Sequence, residues 1–137
     1  MVEVSLKDRY LLDTHAIVFW QQRENMPVSL QTMLDHAAVK GLVLISSISF
    51  WEIALLVKKG RLEIDNVTIW KNDILRFSNV QLISPDVDDM ISSANLPSHH
   101  KDPFDRLLVA QATREKAILV TKDSDVVAYG TRTVWDF

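Results

Sequence analysis

Apolar residues along this chain fall into short unbroken runs separated by longer stretches with helical spacing, which predicts strands and helices taking turns. Arg9-Tyr10-Leu11-Leu12, Leu42-Val43-Leu44-Ile45, Val80-Gln81-Leu82-Ile83 and Ala117-Ile118-Leu119-Val120 read as strands. The near-continuous aliphatic runs suit parallel strands covered on both faces. Thr133-Val134-Trp135 is shorter and reads as an edge strand. Ala16 to Trp20 opens a buried helix that Asn25-Met26-Pro27 breaks, and Ser29 is expected to cap a second helix carrying Leu30, Met33, Leu34, Ala37 and Ala38. Ser46 to Ser49 leads into a third, with Phe50, Trp51, Ile53 and Leu55 to Val57, and Gly60 as its C-cap. Asn66 caps a helix from Val67 through Phe77, and Asp86 to Ala94 forms another, shorter one. Asp102 before Pro103 is a helix start: Asp accepts an orphan N–H, and Pro has none to waste at the first helical position. That helix runs to Glu115-Lys116, and Leu107 to Ala112 make its middle apolar nearly all round, as in a helix wedged against a sheet. Strands alternating with helices imply an α/β fold with a mainly parallel sheet and a crevice where the strand order reverses.

Composition narrows the picture. At 137 residues and 47% hydrophobic, the chain fits a single domain, residues 1–137, with a real core. It holds no cysteine, which removes disulfides, thiolate nucleophiles and zinc–thiolate sites and points to a reducing cytoplasm. Met1 to Arg9 is polar and charged, and no apolar run approaches the roughly 20 residues that cross a bilayer, so neither a signal peptide nor a membrane partner is expected. Three glycines are too few for a glycine-rich phosphate loop. A net charge of −3 argues against broad polyanion binding while leaving room for a local basic rim.

The chemistry lies in the acids. The predicted topology sets Asp13, Glu52, Asp105 and Asp123 at the carboxyl edge of the sheet. Each has a plain structural reading: Asp13 and Asp123 as caps, Ser49 and Glu52 as a capping box, Asp105 as an acid favoured by the helix dipole. Gathered together, they would repel one another unless cations neutralise them. Oxygen-only donors without cysteine or a histidine pair favour Mg²⁺ or Mn²⁺ over Zn²⁺. Such a cluster suits phosphodiester hydrolysis, which then needs no covalent nucleophile.

Leu11-Leu12-Asp13-Thr14-His15, Ser49-Phe50-Trp51-Glu52-Ile53-Ala54, the long stretch His100 to Ala112, and Leu119-Val120-Thr121-Lys122-Asp123 together closely resemble PIN-domain ribonucleases of the VapC toxin type. The resemblance spans almost the whole chain, in the family's order. It implies a three-layer α/β/α fold, Mg²⁺- or Mn²⁺-dependent endoribonuclease activity on an RNA substrate, inhibition by a cognate antitoxin, and a homodimer. Carried over by position, Asp13, Glu52, Asp105 and Asp123 match the family's acids, with Asp125 a competitor for the fourth, and Thr121 matches its supporting hydroxyl. Thr14 follows the first acid as in many members. The alternative is a PIN-like protein that binds a partner without catalysis, which leaves an intact acidic set without a purpose.

Other residues stay open between roles. Arg106 would hold a phosphate or pair with a cluster carboxylate. His15, His99 and His100 read as surface or packing residues more readily than as RNA contacts or groups assisting a leaving group. Lys58, Lys59 and Arg61 are favoured at a helix C-terminus on structural grounds alone, though RNA backbone would suit them too. Trp51 is expected in the core, whereas Trp20 and Phe50 are expected on a surface open to a partner.

Overall fold

The computed structural model describes residues 8–98 and 102–136. Five strands form one wholly parallel sheet: β1 (Tyr10–Leu12), β2 (Val43–Ser46), β3 (Gln81–Ile83), β4 (Ile118–Val120) and β5 (Thr133–Val134), in the order β3-β2-β1-β4-β5. The helices are α1 (Thr14–Gln22), α2 (Val28–Val39), α3 (Ser47–Lys58), α4 (Val67–Phe77), α5 (Val87–Ala94), α6 (Pro103–Glu115) and α7 (Ser124–Val127).

Alternation along the strands builds the layers. Tyr10, Leu12, Val43, Ile45, Ile118 and Val120 face one side, packed with Ile17, Leu30, Leu34 and Ile74 of α1, α2 and α4. Leu11, Leu44 and Leu119 face the other, against Leu108, Val109 and Ala112 of α6 and Val126 of α7. The result is the α/β/α sandwich that the resemblance implied. Six consecutive residues of α6, Leu107 to Ala112, are buried, as its all-round apolar middle required. One of them is polar: Gln111 accepts a hydrogen bond of 2.8 Å from the Ser46 hydroxyl at the end of β2, tying α6 to the sheet.

Local chemistry departs from expectation at several ends. α2 starts one residue before Ser29, with Pro27 at the N-cap and no side-chain cap, because the fixed φ of Pro27 already sets the entry. α3 begins at Ser47, capped by Ser46, so Ser49 is buried inside the helix and makes no capping box with Glu52. Lys59 is the C-cap of α3, and Gly60 just beyond it takes the positive φ of 75° that a side chain would resist. Trp20 is only 3% exposed, its indole N–H donating to Asp35 at 2.9 Å, so it belongs to the core rather than to an open face. Trp51 is the reverse, 61% exposed with its ring edge-on to Phe104. Phe50 is half buried against Trp70.

Two arginines of α6 bind α5. Arg114 Nε donates to both oxygens of buried Asp89, at 2.9 and 3.0 Å. Asp89 also closes the capping box of α5 with Asp86. Burial would raise the Asp89 carboxyl, but the Arg114 hydrogen bond, the Asp86 N–H and the Arg114 charge outweigh it and hold the pKa below its ordinary value. Arg106 donates to the carbonyls of Ser93, Leu96 and Pro97 at 2.8 to 3.0 Å and to the Tyr129 hydroxyl at 3.2 Å. These carbonyls are the orphan acceptors of a helix C-terminus and the turn after it.

Two outcomes follow for stability. Leu119→Ala removes a fully buried side chain between two layers and should cost about 2–5 kcal/mol, read from urea unfolding with an unchanged m-value. Asp89→Asn should lower stability at neutral pH. Because the folded-state pKa of Asp89 is depressed, that contribution is complete above the unfolded value of 3.8 and is lost as pH falls through the folded one. The gap between parent and variant should therefore be constant from pH 7 to about 5 and close below it.

Candidate functional site

The strand order reverses between β1 and β4, since β2 and β3 lie to one side and β4 and β5 to the other. Loops leaving the two strands diverge there and open a crevice at their carboxyl ends. Asp13 leaves β1 directly, and its N–H donates to the Val120 carbonyl at 3.1 Å, so β4 fixes where the first acid stands. Asp13 also caps α1, one oxygen accepting from Ala16 N–H at 2.8 Å. Thr121 leaves β4, is buried, hydrogen-bonds the Asp13 carboxylate and accepts from Asp123 N–H at 3.1 Å. Asp123 in turn caps α7 by accepting from Asp125 N–H at 2.9 Å.

A cavity of about 680 Å³ opens above these ends, and Asp13, Glu52, Asp105 and Asp123 all line it. Asp125 is not part of that lining, so of the two neighbouring acids it is Asp123 that faces the crevice. Glu52 reaches the cavity from the second turn of α3, held by the hydroxyl of buried Thr14 at 2.5 Å. Asp102 lines it too, although the sequence marked that residue only as the N-cap of α6. His15, Phe19 and Lys122 complete the rim. Arg106 is absent from this lining; its guanidinium donates to the carbonyls of Ser93 in α5 and of Leu96 and Pro97 in the turn after it, and to the Tyr129 hydroxyl. His99 and His100 lie outside the described residues. Lys58, Lys59 and Arg61 are exposed at the far end of α3.

Electrostatics follow from this placement. Burial pushes the Asp13 carboxyl above its ordinary pKa, against the Thr121 hydroxyl, the Ala16 N–H and the His15 charge, and Asp123 adds to the rise. Burial does the same to Glu52, opposed by its Thr14 hydrogen bond and reinforced by the charges of Asp102 and Asp13. The cavity thus holds carboxylates at an energetic cost that a cation would relieve. Among the described residues, no group of three His, Asp or Glu side chains stands close enough together to hold a metal ion as it is. Local bonds explain the spacing: Asp13 and Asp123 each spend an oxygen on a helix cap, and Glu52 is turned to Thr14. The donor chemistry, oxygen throughout, fits a hard divalent ion, with side-chain rotation needed to close the set.

The chain is similar to several known proteins. Ribonuclease VapC22 of Mycobacterium tuberculosis is 28% identical over 116 residues, covering 82% of this chain and 85% of that protein. Among solved structures, VapBC2 from Rickettsia felis bound to a DNA fragment from its promoter superposes with a TM-score of 0.70 at 21% identity, covering 93% of this chain and 98% of that one. FitAcB from Neisseria gonorrhoeae gives a TM-score of 0.65 at 18% identity, covering 90% and 95%. The family pattern of the PIN domain matches residues 10–131, a span that runs from β1 past the acid after β4. With that match covering most of its length, this chain belongs to the PIN domain family.

Proposed function

We propose that this protein is a metal-dependent endoribonuclease of the VapC toxin type, hydrolysing RNA phosphodiester bonds in the crevice and held in check by a cognate antitoxin. The observation that carries the reading is the convergence of Asp13, Glu52, Asp105 and Asp123 on one cavity where burial raises the pKa of the first two. The similarity to a protein named as a ribonuclease supports the reaction, and the fold shared with VapBC2 supports a partnered toxin. A second copy of the chain is part of the same proposal, as is a cytoplasmic site of action. Among the described residues, no helix is long and apolar enough to cross a membrane.

Asp13 and Asp105 would hold Mg²⁺ or Mn²⁺, with Glu52 and Asp123 completing the set directly or through water. When bound, the ion lowers the pKa of an attacking water and offsets charge on the phosphate. The chain's own residues supply the geometry. Thr121 holds the Asp13 carboxylate and Thr14 holds Glu52, so each acid has part of its ordering entropy met by folding and needs only a side-chain rotation to reach a cation. Binding a cation requires both acids ionised, which the buried site resists until the ion arrives.

Asp13→Asn separates the two roles of that residue, because Asn caps a helix as well as Asp. Cleavage of a structured RNA panel should fall on the order of a hundredfold or more, the scale on which groups at a reacting centre register. The same variant should be at least as stable as the parent at pH 7 without metal. The sign is set by the raised folded-state pKa of Asp13: the parent carries an ionisation penalty above that pKa and none below the unfolded value of 3.8, so the advantage of the variant should vanish as pH falls through this range. Cleavage by the variant at the parent's rate, in nuclease-free preparations, would overturn the proposal.

Metal removal gives an independent reading. EDTA should abolish cleavage and Mn²⁺ restore it. In thermal unfolding the parent should gain about 2.7 kcal/mol of apparent stability at a hundred times the dissociation constant, and Asp13→Asn should gain much less. Equal stabilisation of the two proteins would remove Asp13 from the ligand set.

A further inference from the structure

Lys122 sits between Thr121 and Asp123 in a cavity whose lining includes five carboxylates, yet among the described residues its ammonium forms no ion pair with any of them. It lies over aromatic rings, 5.2 Å from the centroid of Phe19 and 6.0 Å from that of Trp135. Its backbone is pinned on both sides, by the buried Thr121 and by the capping Asp123, while the side chain is exposed. The rings are braced against each other. Phe19 meets Trp135 edge to face at 6.3 Å and 72°, and His15 lies 5.9 Å from Phe19 on the cavity side.

We infer that Lys122, Phe19 and His15 form a nucleotide subsite beside the acidic cavity, taking the base of a single-stranded RNA residue next to the cleaved bond on the rings and its phosphate on the ammonium. The inference rests on the nuclease reading above and names how the substrate is held. A polyanion entering a cavity of carboxylates meets repulsion unless a cation offsets it, and Lys122 is a cation of that lining not committed to a carboxylate. An exposed cation–π contact is weak, so a phosphate, which offers full charge, draws the ammonium off the ring. That movement uncovers the Phe19 face, and a nucleobase stacks on an aromatic face whatever its identity. Trp135 braces Phe19 edge to face. The subsite therefore favours unpaired RNA without dictating sequence.

The competing explanation is that Lys122 merely covers apolar surface with its alkyl stem. Binding of a fluorescein-labelled, mixed-sequence 12-nucleotide RNA to the Asp105→Asn protein, followed by anisotropy across a KCl series with Mg²⁺ present, separates the two. Lys122→Gln in that background should weaken binding about tenfold at low salt and reduce the slope of log K against log[salt] by about 0.7 to 1, the signature of one lost phosphate contact. Phe19→Leu should weaken binding several-fold with the slope unchanged, and Lys122→Arg should restore the parent slope. Thermal unfolding of each variant checks that the Phe19 effect is not a loss of fold. Unchanged affinity and slope in Lys122→Gln, alongside RNA cleavage by the wild-type protein, would overturn the subsite and leave the nuclease standing. Absence of both cleavage by the wild type and binding by Asp105→Asn would overturn the two together.

Discussion

The pairing of β1 with β4 is the constraint on which the rest depends. Tyr10, Leu11 and Leu12 stand opposite Ile118, Leu119 and Val120, all buried, so the register admits no slip without turning one core face into the other. These two strands are adjacent in space but separated in the chain by everything from α1 to α6. Bringing them together costs the closure of a very long loop, offset by two aliphatic cores that only this pairing completes. The same pairing delivers Asp13 and Thr121 side by side. Stability of the sheet and placement of the acids are therefore a single structural event.

The acids show that capping and site formation are compatible uses of one carboxylate. Asp13 and Asp123 accept backbone N–H groups and face the cavity at once. A cap requires an oxygen at the end of a helix, and parallel topology places helix N-termini at the same edge as strand C-termini. Charge carried at that edge is tolerated because the helix ends and threonine hydroxyls partly compensate it. The remaining cost stays in the elevated pKa values of Asp13 and Glu52.

Strands were legible because parallel, doubly covered strands are nearly continuous in aliphatic residues, as in Leu42 to Ile45, and α6 because Asp102-Pro103 marks its start unambiguously. The layer arrangement and the acidic cavity followed from the same patterns together with the family resemblance. Side-chain partners were not legible, since they depend on distant segments. Arg106 stands next to Asp105 in the chain, yet its fork turns to the orphan carbonyls at the end of α5 and in the turn after it, groups distant in sequence that only the fold brings within reach. Trp20 and Trp51 traded places because an indole on an apolar helix carries no label for which face it occupies; Asp35, fifteen residues on, decides the first. Glu52 lacked its local cap because α3 is capped by Ser46 rather than Ser49, a shift of three residues that leaves it free for Thr14. Lys122 gave no sign of its rings, since Phe19 and Trp135 come from opposite ends of the chain.

The two arginines of α6 have a mechanical consequence. Arg106 and Arg114 are eight residues apart, about 12 Å along a helix axis. Each grips a different end of α5: Arg106 its last turn, Arg114 the carboxylate of its first. One grip would let α5 swivel like a door on a pin. Two make it a bolted plate, so the orientation of α5 is tied to that of α6, whose first turn carries Asp105. The exposed Val87, Met90 and Ile91 are therefore carried on a helix fixed at both ends to the one that bears Asp105.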